Sequence, residues 1–200
     1  MRRRIFLAAS AVALMFIRRP AEAAATGGDA KKFIGNLGAN AISSLTGSNL
    51  SQSGREALFR GLLEAHFDLP AIDKFVLGRY WKIAVAQQAE FHKLFEDLLV
   101  KSYAETFAQY AGEEFQVTNA RANDERSLLV NSEIIQPNGD IIQLDWRVED
   151  QGGTPRITDL LVEGVSLRTT HRSDSASAVQ SNGGTVAGLL GALRRKVGST

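Results

Sequence analysis

The spacing of apolar residues changes near Gly112, and this change constrains the fold more than any other feature of the chain. Before it, from Phe91 to Tyr110, apolar side chains recur at i, i+3, i+4 and i+7, which is the spacing of one face of an α-helix. We predict one long helix here, with Gly112 as its C-terminal cap. After Gly112 apolar and polar residues alternate, as in half-buried β-strands. Two such blocks in succession predict an α+β fold.

The alternating block is predicted to hold about four antiparallel strands. Pro137-Asn138-Gly139-Asp140 predicts a tight hairpin turn between the second and third strands, because Asn-Gly tolerates positive φ. The fourth strand is expected to be long, with Gly164 marking a bulge or a bend within it. The expected strands are Phe115–Thr118, Leu128–Ile134, Ile142–Val148 and Ile157–Leu167.

Helices are predicted before and after the strands. Ser53 and Glu56 fit a capping box that opens one of them, Asp68 can cap the next segment, and Gly78 marks a break before the central helix. We therefore predict N- and C-terminal helices packed on a twisted antiparallel sheet of about four strands, enclosing an apolar cavity. Besides the central helix, the expected helices are Phe33–Leu45, Ser53–Phe67, Ser173–Ser181 and Val186–Val197.

Residues 1–23 have the pattern of a secretory signal peptide. Arg2–Arg4 precede the apolar run Ile5–Ile17, and a small-x-small cleavage site ends at Ala23. The run is shorter than the roughly 20 residues that a membrane-spanning helix needs. We expect export by the Sec or the twin-arginine route, cleavage near Ala23, and one domain over residues 24–200. An uncleaved membrane anchor is the alternative.

Charge and composition argue against several classes of function. Without residues 1–23 the formal net charge falls from +1 to −3, because five arginines and one glutamate are removed. A slightly acidic chain argues against bulk binding of nucleic acid and against firm adhesion to anionic lipid by charge alone. The chain has no cysteine, which excludes thiol catalysis and thiolate metal sites.

The polar residues form no strong catalytic or metal-binding motif. His66, His92 and His171 are far apart in sequence, and none has a second histidine at ligand spacing, so we predict no metal site and no cofactor. Ser166 lacks the second glycine of a nucleophile elbow. We interpret it as an ordinary strand residue.

Asp159 is the best candidate for catalysis. By strict alternation it shares a face with Ile157 and Leu161, so its carboxylate would be buried. A buried carboxylate near a tyrosine can abstract a proton inside an apolar cavity. A charge partner such as Arg156 or Arg168 would explain the residue equally well. An enzyme with Asp/Tyr acid–base chemistry therefore remains an alternative, while the main interpretation is a non-enzyme without catalytic residues.

Several segments together carry the pattern of a known family. The segment Ile157–Leu167 contains the pattern D-x-x-x-E-G-V-S-L, and Thr170, Arg172 and a Ser-rich helix follow it. The helical part of the pattern consists of Gly78-Arg79-Tyr80-Trp81 followed by Phe91, Phe95, Leu98, Tyr103 and Tyr110. From Asp29 to Leu193 the chain therefore resembles the MlaC, or toluene-tolerance, family.

The resemblance implies a periplasmic phospholipid carrier, the auxiliary component of an ABC transport system that maintains outer-membrane lipid asymmetry. Its ligand would be a phospholipid with acyl chains in an apolar cavity. Its partners would be an inner-membrane ABC transporter complex with an MCE-domain protein, and an outer-membrane lipoprotein complex. The resemblance implies no catalytic residue and no cofactor. Thr154-Pro155 stands where the family usually has a tryptophan, so the similar hopanoid-associated proteins are an alternative.

Ten apolar side chains are predicted to line the cavity. They come from the two helical segments and from the last two long strands, and they would shield acyl chains from water. Core residues have the same pattern, so a fully packed adaptor without a cavity is a further alternative. The predicted lining residues are Phe75, Tyr80, Trp81, Phe95, Leu99, Tyr103, Leu144, Trp146, Leu160 and Val162.

Overall fold

The computed structural model describes residues 26–46, 49–110 and 112–198, and the predicted signal peptide lies outside them. In the described part, six α-helices flank one five-stranded sheet, so the predicted α+β class is confirmed. None of the described helices is long and apolar enough to cross a bilayer. The helices are α1 Gly27–Leu45, α2 Gln52–His66, α3 Leu69–Leu77, α4 Gln88–Ala104, α5 Leu167–Ser181 and α6 Val186–Gly198.

The sheet is an antiparallel meander in the order β1-β2-β3-β4-β5. The predicted hairpin turn between β2 and β3 is confirmed, because Gly139 has a φ of 90° and its N–H donates to the Gln136 carbonyl at 2.8 Å. Gln136 N–H in turn donates to the Asp140 carbonyl. The strands are β1 Glu114–Ala122, β2 Ser127–Ile135, β3 Ile141–Gln151, β4 Thr154–Val162 and β5 Val165–Ser166.

One face of the sheet, which we call the inner face, packs against α1. Directly paired residues lie on the same face, so Val130, Trp146 and Leu160 form one row across β2, β3 and β4. Helix α1 begins after Thr26, whose Oγ accepts the N–H of Asp29 at 3.2 Å. The buried residues shared by α1 and the inner face, the sheet cluster, are Ala30, Ile34, Leu37, Val130, Val148 and Ile157.

The other helices pack mainly on one another and form a second core, which we call the helical cluster. Phe67, between α2 and α3, packs against both clusters, and the Asp68 N–H next to it donates to the Ile157 carbonyl at 2.9 Å. This link joins the helical core to β4. The helical cluster consists of Leu63, Leu69, Ile72, Val76, Leu77, Ala84, Phe91, Phe95, Leu98, Leu99, Val100, Val179, Val186, Leu189, Leu190 and Leu193.

Several predicted helix boundaries are wrong. Helices α1 and α5 begin at Gly27 and Leu167, each six residues before its predicted start at Phe33 or Ser173. Helix α2 is capped by Ser51 rather than by Ser53, since the Ser51 Oγ accepts the Gly54 N–H at 3.1 Å. Helix α4 ends at Ala104 after 17 residues, and residues 105–109 tighten into a 3₁₀ helix. The central helix is therefore shorter than predicted, and Gly112 is not its cap. The predicted cap Asp68 is confirmed, because it accepts the Ala71 N–H at 3.1 Å.

The predicted long strand from Ile157 to Leu167 is also wrong. Strand β4 ends at Val162, and the chain reverses through Glu163 and Gly164, which have φ values of 50° and 77°. Two successive residues with positive φ match the tight hairpin turn that follows the twist of antiparallel strands. Ser166 is then the N-cap of α5, with its Oγ accepting the Thr169 N–H at 3.2 Å. Ser166 therefore caps a helix as well as ending β5, whereas the sequence analysis interpreted it only as a strand residue.

A β-bulge at Thr158 changes which residues of β4 share a face. Val148 pairs with Ile157, but its neighbour Arg147 pairs with Asp159, so Thr158 is an extra residue in the strand. Ile157 and Asp159 therefore lie on opposite faces. The prediction that they share a face is wrong, because strict alternation ignores the bulge.

Candidate lipid-binding interior

Four of the ten predicted lining residues come together on the inner face of the sheet. Leu144 pairs with Val162, and Trp146 pairs with Leu160. The bulge at Thr158 makes this possible, since it turns Leu160 and Val162 onto the face that carries Leu144 and Trp146. Leu144 is buried, and the other three side chains are half-buried.

Trp146 is held by one polar and one aromatic contact. Its indole N–H donates to the Ser132 Oγ at 2.8 Å, and the Ser132 side chain is itself buried. The Phe115 ring lies edge-to-face against the indole, with ring centroids 6.4 Å apart. Because a buried indole N–H needs an acceptor, Ser132 allows a tryptophan to occupy this apolar face without an unpaired donor.

An apolar groove opens beside Trp146, between α1 and β1. Its volume is about 410 Å³, and ligand pockets commonly have roughly 300–1,000 Å³. A stripe of small side chains on α1 leaves this space: Gly35, Ala39 and Ser43 follow one another at intervals of four residues. The groove is lined by Gly35, Ala39, Ile42, Ser43, Phe115 and Val117.

Five other predicted residues lie in or against the helical cluster, on the other side of Phe67. Phe95 stacks on Phe91 with ring centroids 5.4 Å apart. His171 meets Phe95 edge-to-face at 5.2 Å, and its Nε2 lies 3.4 Å from the Tyr103 hydroxyl. Burial lowers the pKa of His171 and raises the pKa of Tyr103, so both are neutral at pH 7. The five residues are Tyr80, Trp81, Phe95, Leu99 and Tyr103.

The tenth predicted residue, Phe75, has cationic neighbours. The guanidinium carbons of Arg168 and Arg172 lie 4.4 Å and 5.0 Å from the centre of its ring, which is cation–π geometry. The structure therefore brings the four sheet residues together and the five helical residues together. It does not bring all ten around one space.

The groove between α1 and β1 was not predicted from the sequence. Phe115 and Val117 were assigned to a strand but not to the lining, and α1 was predicted only as a helix with an apolar face. The signal that was available is the stripe of small residues at Gly35, Ala39 and Ser43, which predicts a helix face with open space above it. His171 was considered only as a metal ligand. Among the described residues, no group of three or more His, Asp or Glu could hold a metal.

Asp159 has a structural environment that accounts for its burial. The Ser166 hydroxyl donates to its Oδ2 at 2.7 Å, the Arg168 backbone N–H donates to its Oδ1 at 3.3 Å, and the Arg168 Nε lies 3.3 Å from Oδ2. The carboxylate thus accepts from the first turn of α5, where the helix dipole favours a negative charge. Of the two partners expected from the sequence, Arg168 contacts it, whereas Arg156 donates to the Glu64 and Ala65 carbonyls.

A buried acidic network lies between α2, α3 and α4. The Asp73 Oδ2 is 2.6 Å from the His92 Nδ1, and the His92 Nε2 is 3.5 Å from Glu96. Arg60 bonds both Glu96 and Asp97. Burial raises the pKa of Asp73 from 3.8 to about 6, and the nearby His92 offsets part of this rise. A polar pocket of about 660 Å³ lies near the start of α2 and the end of α4.

Comparison with known proteins settles the family. A family model described as MlaC protein matches residues 37–195, most of the chain. The chain belongs to the MlaC family. The expected resemblance is thereby confirmed, and the matched range includes the helical cluster, all five strands, and most of the sheet cluster and of the groove.

Two curated MlaC-type relatives are similar over part of their length. The chain is 30% identical over 97 residues to the intermembrane phospholipid transport system binding protein MlaC of Haemophilus influenzae, covering 46% of this chain and 45% of that protein. It is 25% identical over 118 residues to the toluene tolerance protein ttg2D of Pseudomonas putida, covering 58% and 55%. The chain thus spans about half the length of the curated relatives it matches.

A solved structure shares the fold. The phospholipid-binding protein from Ralstonia solanacearum, determined in complex with a phospholipid, superposes with a TM-score of 0.77 and 22% identity. The match covers 85% of this chain and 97% of that one. At this level of identity, the likeness concerns the arrangement of helices and strands.

Proposed function

We propose that the chain is a periplasmic phospholipid carrier that is exported by residues 1–23 and works without catalysis. The observation that carries the proposal is membership of the MlaC family, whose fold here includes an open apolar groove. A relative named as a phospholipid transport binding protein and a phospholipid-bound structure with the same fold support the choice of ligand.

The physical need for a carrier lies in the acyl chains. Each CH₂ group exposed to water costs about 0.8 kcal/mol, so two chains with about 30 such groups cost about 24 kcal/mol. An apolar interior removes most of this cost. Moving the chains from a bilayer to the protein is then nearly neutral, which allows both loading and release.

We place the acyl chains along the inner face, starting from the groove beside α1. The groove side supplies small residues on α1, and Phe115 leads from it towards Trp146. Leu144, Leu160 and Val162 continue the same apolar face. The five predicted residues of the helical cluster would join the lining if the two clusters separate around the ligand.

The carrier would exchange phospholipid with two membrane complexes. These are an inner-membrane ABC transporter complex with an MCE-domain protein and an outer-membrane lipoprotein complex. The contacts of Asp159 favour this non-enzymatic role over acid–base catalysis, because the helix α5 terminus and Arg168 already hold its carboxylate. No residue needs to react for this function.

Native mass spectrometry tests the proposal. We expect the protein purified from a periplasm without detergent to carry an added mass equal to a phospholipid, which is released on denaturation. Ala39→Trp would fill the groove and lower the lipid-bound fraction. Ala187→Trp is the matched control, since Ala187 is an exposed residue of α6 that does not line the groove.

Each part of the proposal has a result that would contradict it. A bare polypeptide mass that persists after incubation with phospholipid vesicles would contradict lipid carriage. An equal lipid-bound fraction in Ala39→Trp and the wild-type protein would contradict the placement of the acyl chains in the groove while leaving lipid binding intact.

A further inference from the structure

The segment of residues 78–88, which we call the exposed loop, presents two apolar side chains to solvent. It joins α3 to α4, and Ile83 and Val85 are 78% and 68% exposed. In the described part of the chain, no other large apolar side chain is as exposed to solvent as these two. Single exposed apolar residues are common on protein surfaces, but two that lie this close together form a small apolar patch.

The loop holds these side chains in a defined position. Ala84, which lies between them, is only 2% exposed, and its N–H donates to the Tyr80 carbonyl at 3.0 Å. Gln87 N–H donates to the Ala84 carbonyl at 2.8 Å, and the Gln88 side chain donates to the Trp81 carbonyl at 2.9 Å. The anchored alanine therefore directs its two neighbours outwards.

The surface around the loop is cationic. From residue 74 to residue 89 the chain has Lys74, Arg79 and Lys82 but no Asp or Glu, and all three cations are exposed. Arg172 of α5 lies beside them, because its guanidinium packs against the Gly78 backbone. Among the described residues, none of these four cations forms an ion pair.

Two aromatic residues lie at the base of the loop. Tyr80 and Trp81 are half-buried and pack against the helical cluster. The Arg79 guanidinium donates to the Tyr80 hydroxyl at 2.7 Å. Tyrosine and tryptophan favour the boundary between an apolar phase and water, so their position matches the apolar and cationic residues beside them.

We propose that the exposed loop is a docking surface for an anionic lipid bilayer. Ile83 and Val85 enter the boundary between head groups and acyl chains, while Lys74, Arg79, Lys82 and Arg172 contact anionic head groups. The combination of bare aliphatic side chains with unpaired cations favours a bilayer. Without residues 1–23 the net charge is −3, so the rest of the protein does not add to the attraction between the loop and an anionic bilayer. The contact is therefore confined to the loop and reversible.

Vesicle co-sedimentation tests this proposal directly. The wild-type protein is expected to bind vesicles of phosphatidylcholine with about one-third phosphatidylglycerol, and to bind pure phosphatidylcholine vesicles more weakly. The double variant Ile83→Ser/Val85→Ser is expected to bind the anionic vesicles at least about tenfold more weakly. Leu58→Ser is the matched control, since Leu58 is an exposed apolar residue of α2, and its binding is expected to equal wild type.

The charges have a separate test. Lys74→Gln and Lys82→Gln are each expected to weaken binding about fivefold at low salt, and the differences are expected to shrink at high salt. Both lysines are exposed, so thermal unfolding followed by circular dichroism is expected to be unchanged in the lysine variants.

Three outcomes would overturn the docking surface: no binding of the wild-type protein to anionic vesicles at low salt, unchanged binding of Ile83→Ser/Val85→Ser, or equal loss in Leu58→Ser. Unchanged vesicle binding together with slower lipid exchange would assign the loop to a protein partner instead. Lipid occupancy measured by native mass spectrometry is expected to stay at the wild-type value in the loop variants. An empty wild-type protein would therefore contradict the carrier proposal without deciding the docking surface.

Discussion

The helical cluster and the sheet cluster differ in size and in how far their surroundings open to solvent. In the described part of the chain, sixteen buried apolar residues form the helical cluster, whereas six form the sheet cluster. Phe91 and Phe95 stack inside the first. Phe115 and Val117, which pack against the second, also line an open groove. The dense apolar core and the open groove thus lie in different parts of one fold.

This difference indicates which part of the fold can change shape. A densely packed core resists changes in volume, because each displaced methylene loses contacts. A thin layer with a groove has fewer contacts to lose. We therefore expect the helical cluster to keep its shape when a ligand enters, and the layer between α1 and the sheet to adapt. The following four predictions test this contrast.

The largest expected effect is that of Phe91→Ala in the helical cluster. Phe91 is 0% exposed and stacked on Phe95, so removing its ring should lower the free energy of unfolding by about 3–5 kcal/mol. Phe115→Ala removes the same ring from the half-buried side of the sheet cluster and should cost about half as much or less. Denaturant unfolding of both variants measures the difference. Equal losses would show that the two regions are packed alike.

The next effect depends on pH and concerns Asp73 beside the helical cluster. Its carboxyl loses its proton near pH 3.8 in the unfolded chain, but burial raises the pKa to about 6 in the folded protein. Between these values the folded state binds more protons, so its stability falls as pH rises through this window and levels off above it. Two pKa units correspond to about 3 kcal/mol.

Asp73→Asn should therefore gain stability relative to wild type as the pH rises from 4 to 7, and the gain should be complete near pH 7. Urea unfolding at a series of pH values measures it. Glu125→Gln is the control, because Glu125 is an exposed acid in the turn between β1 and β2. A difference between Asp73→Asn and wild type that does not vary with pH would contradict the raised pKa.

A smaller effect distinguishes two helix glycines. A Cβ on Gly38 of α1 would collide with the Phe115 ring, whereas a Cβ on Gly61 of α2 meets nothing within 4 Å. Gly61→Ala should raise the free energy of unfolding by about 0.5–1 kcal/mol through helix propensity. Gly38→Ala should lower it by about 1–2 kcal/mol through overpacking. It should also move Phe115 and change the lipid-bound fraction, and the same sign for both variants would contradict the close contact.

The smallest effect is expected for a surface ion pair. Arg194 of α6 bonds Glu90 of α4, and both side chains are well exposed to water. Solvent screens such pairs, so Arg194→Gln should change the free energy of unfolding by less than about 1 kcal/mol. A loss comparable with that of Phe91→Ala would mean that charge, rather than apolar packing, holds α4 and α6 together.

The sequence was informative where local chemistry decides the structure. Helix α1, the cap at Asp68 and the hairpin turn at Gly139 follow from residue type and spacing. The end of α4, the turn at Glu163 and the bulge at Thr158 do not, because each depends on contacts with distant parts of the chain.

The candidate site was predictable only in part, for the same reason. Leu144 and Trp146 could be assigned to one face of a strand from alternation alone. Whether that face meets α1 or the aromatic residues of α4 depends on tertiary packing. Burial looks the same in a sequence whether it occurs in a core or beside a cavity. The division of the ten residues between two clusters therefore appears only in the structure.

The extra residue in β4 has a consequence for changes in chain length. Deleting Thr158 would regularise the strand while leaving Leu160 opposite Trp146 and Val162 opposite Leu144. Deleting Leu161 would instead turn Val162 away from the interior. A deletion at Thr158 therefore keeps the later residues of β4 on their faces of the sheet. A deletion three residues later moves the residue at the end of the strand from the inner face to the opposite face.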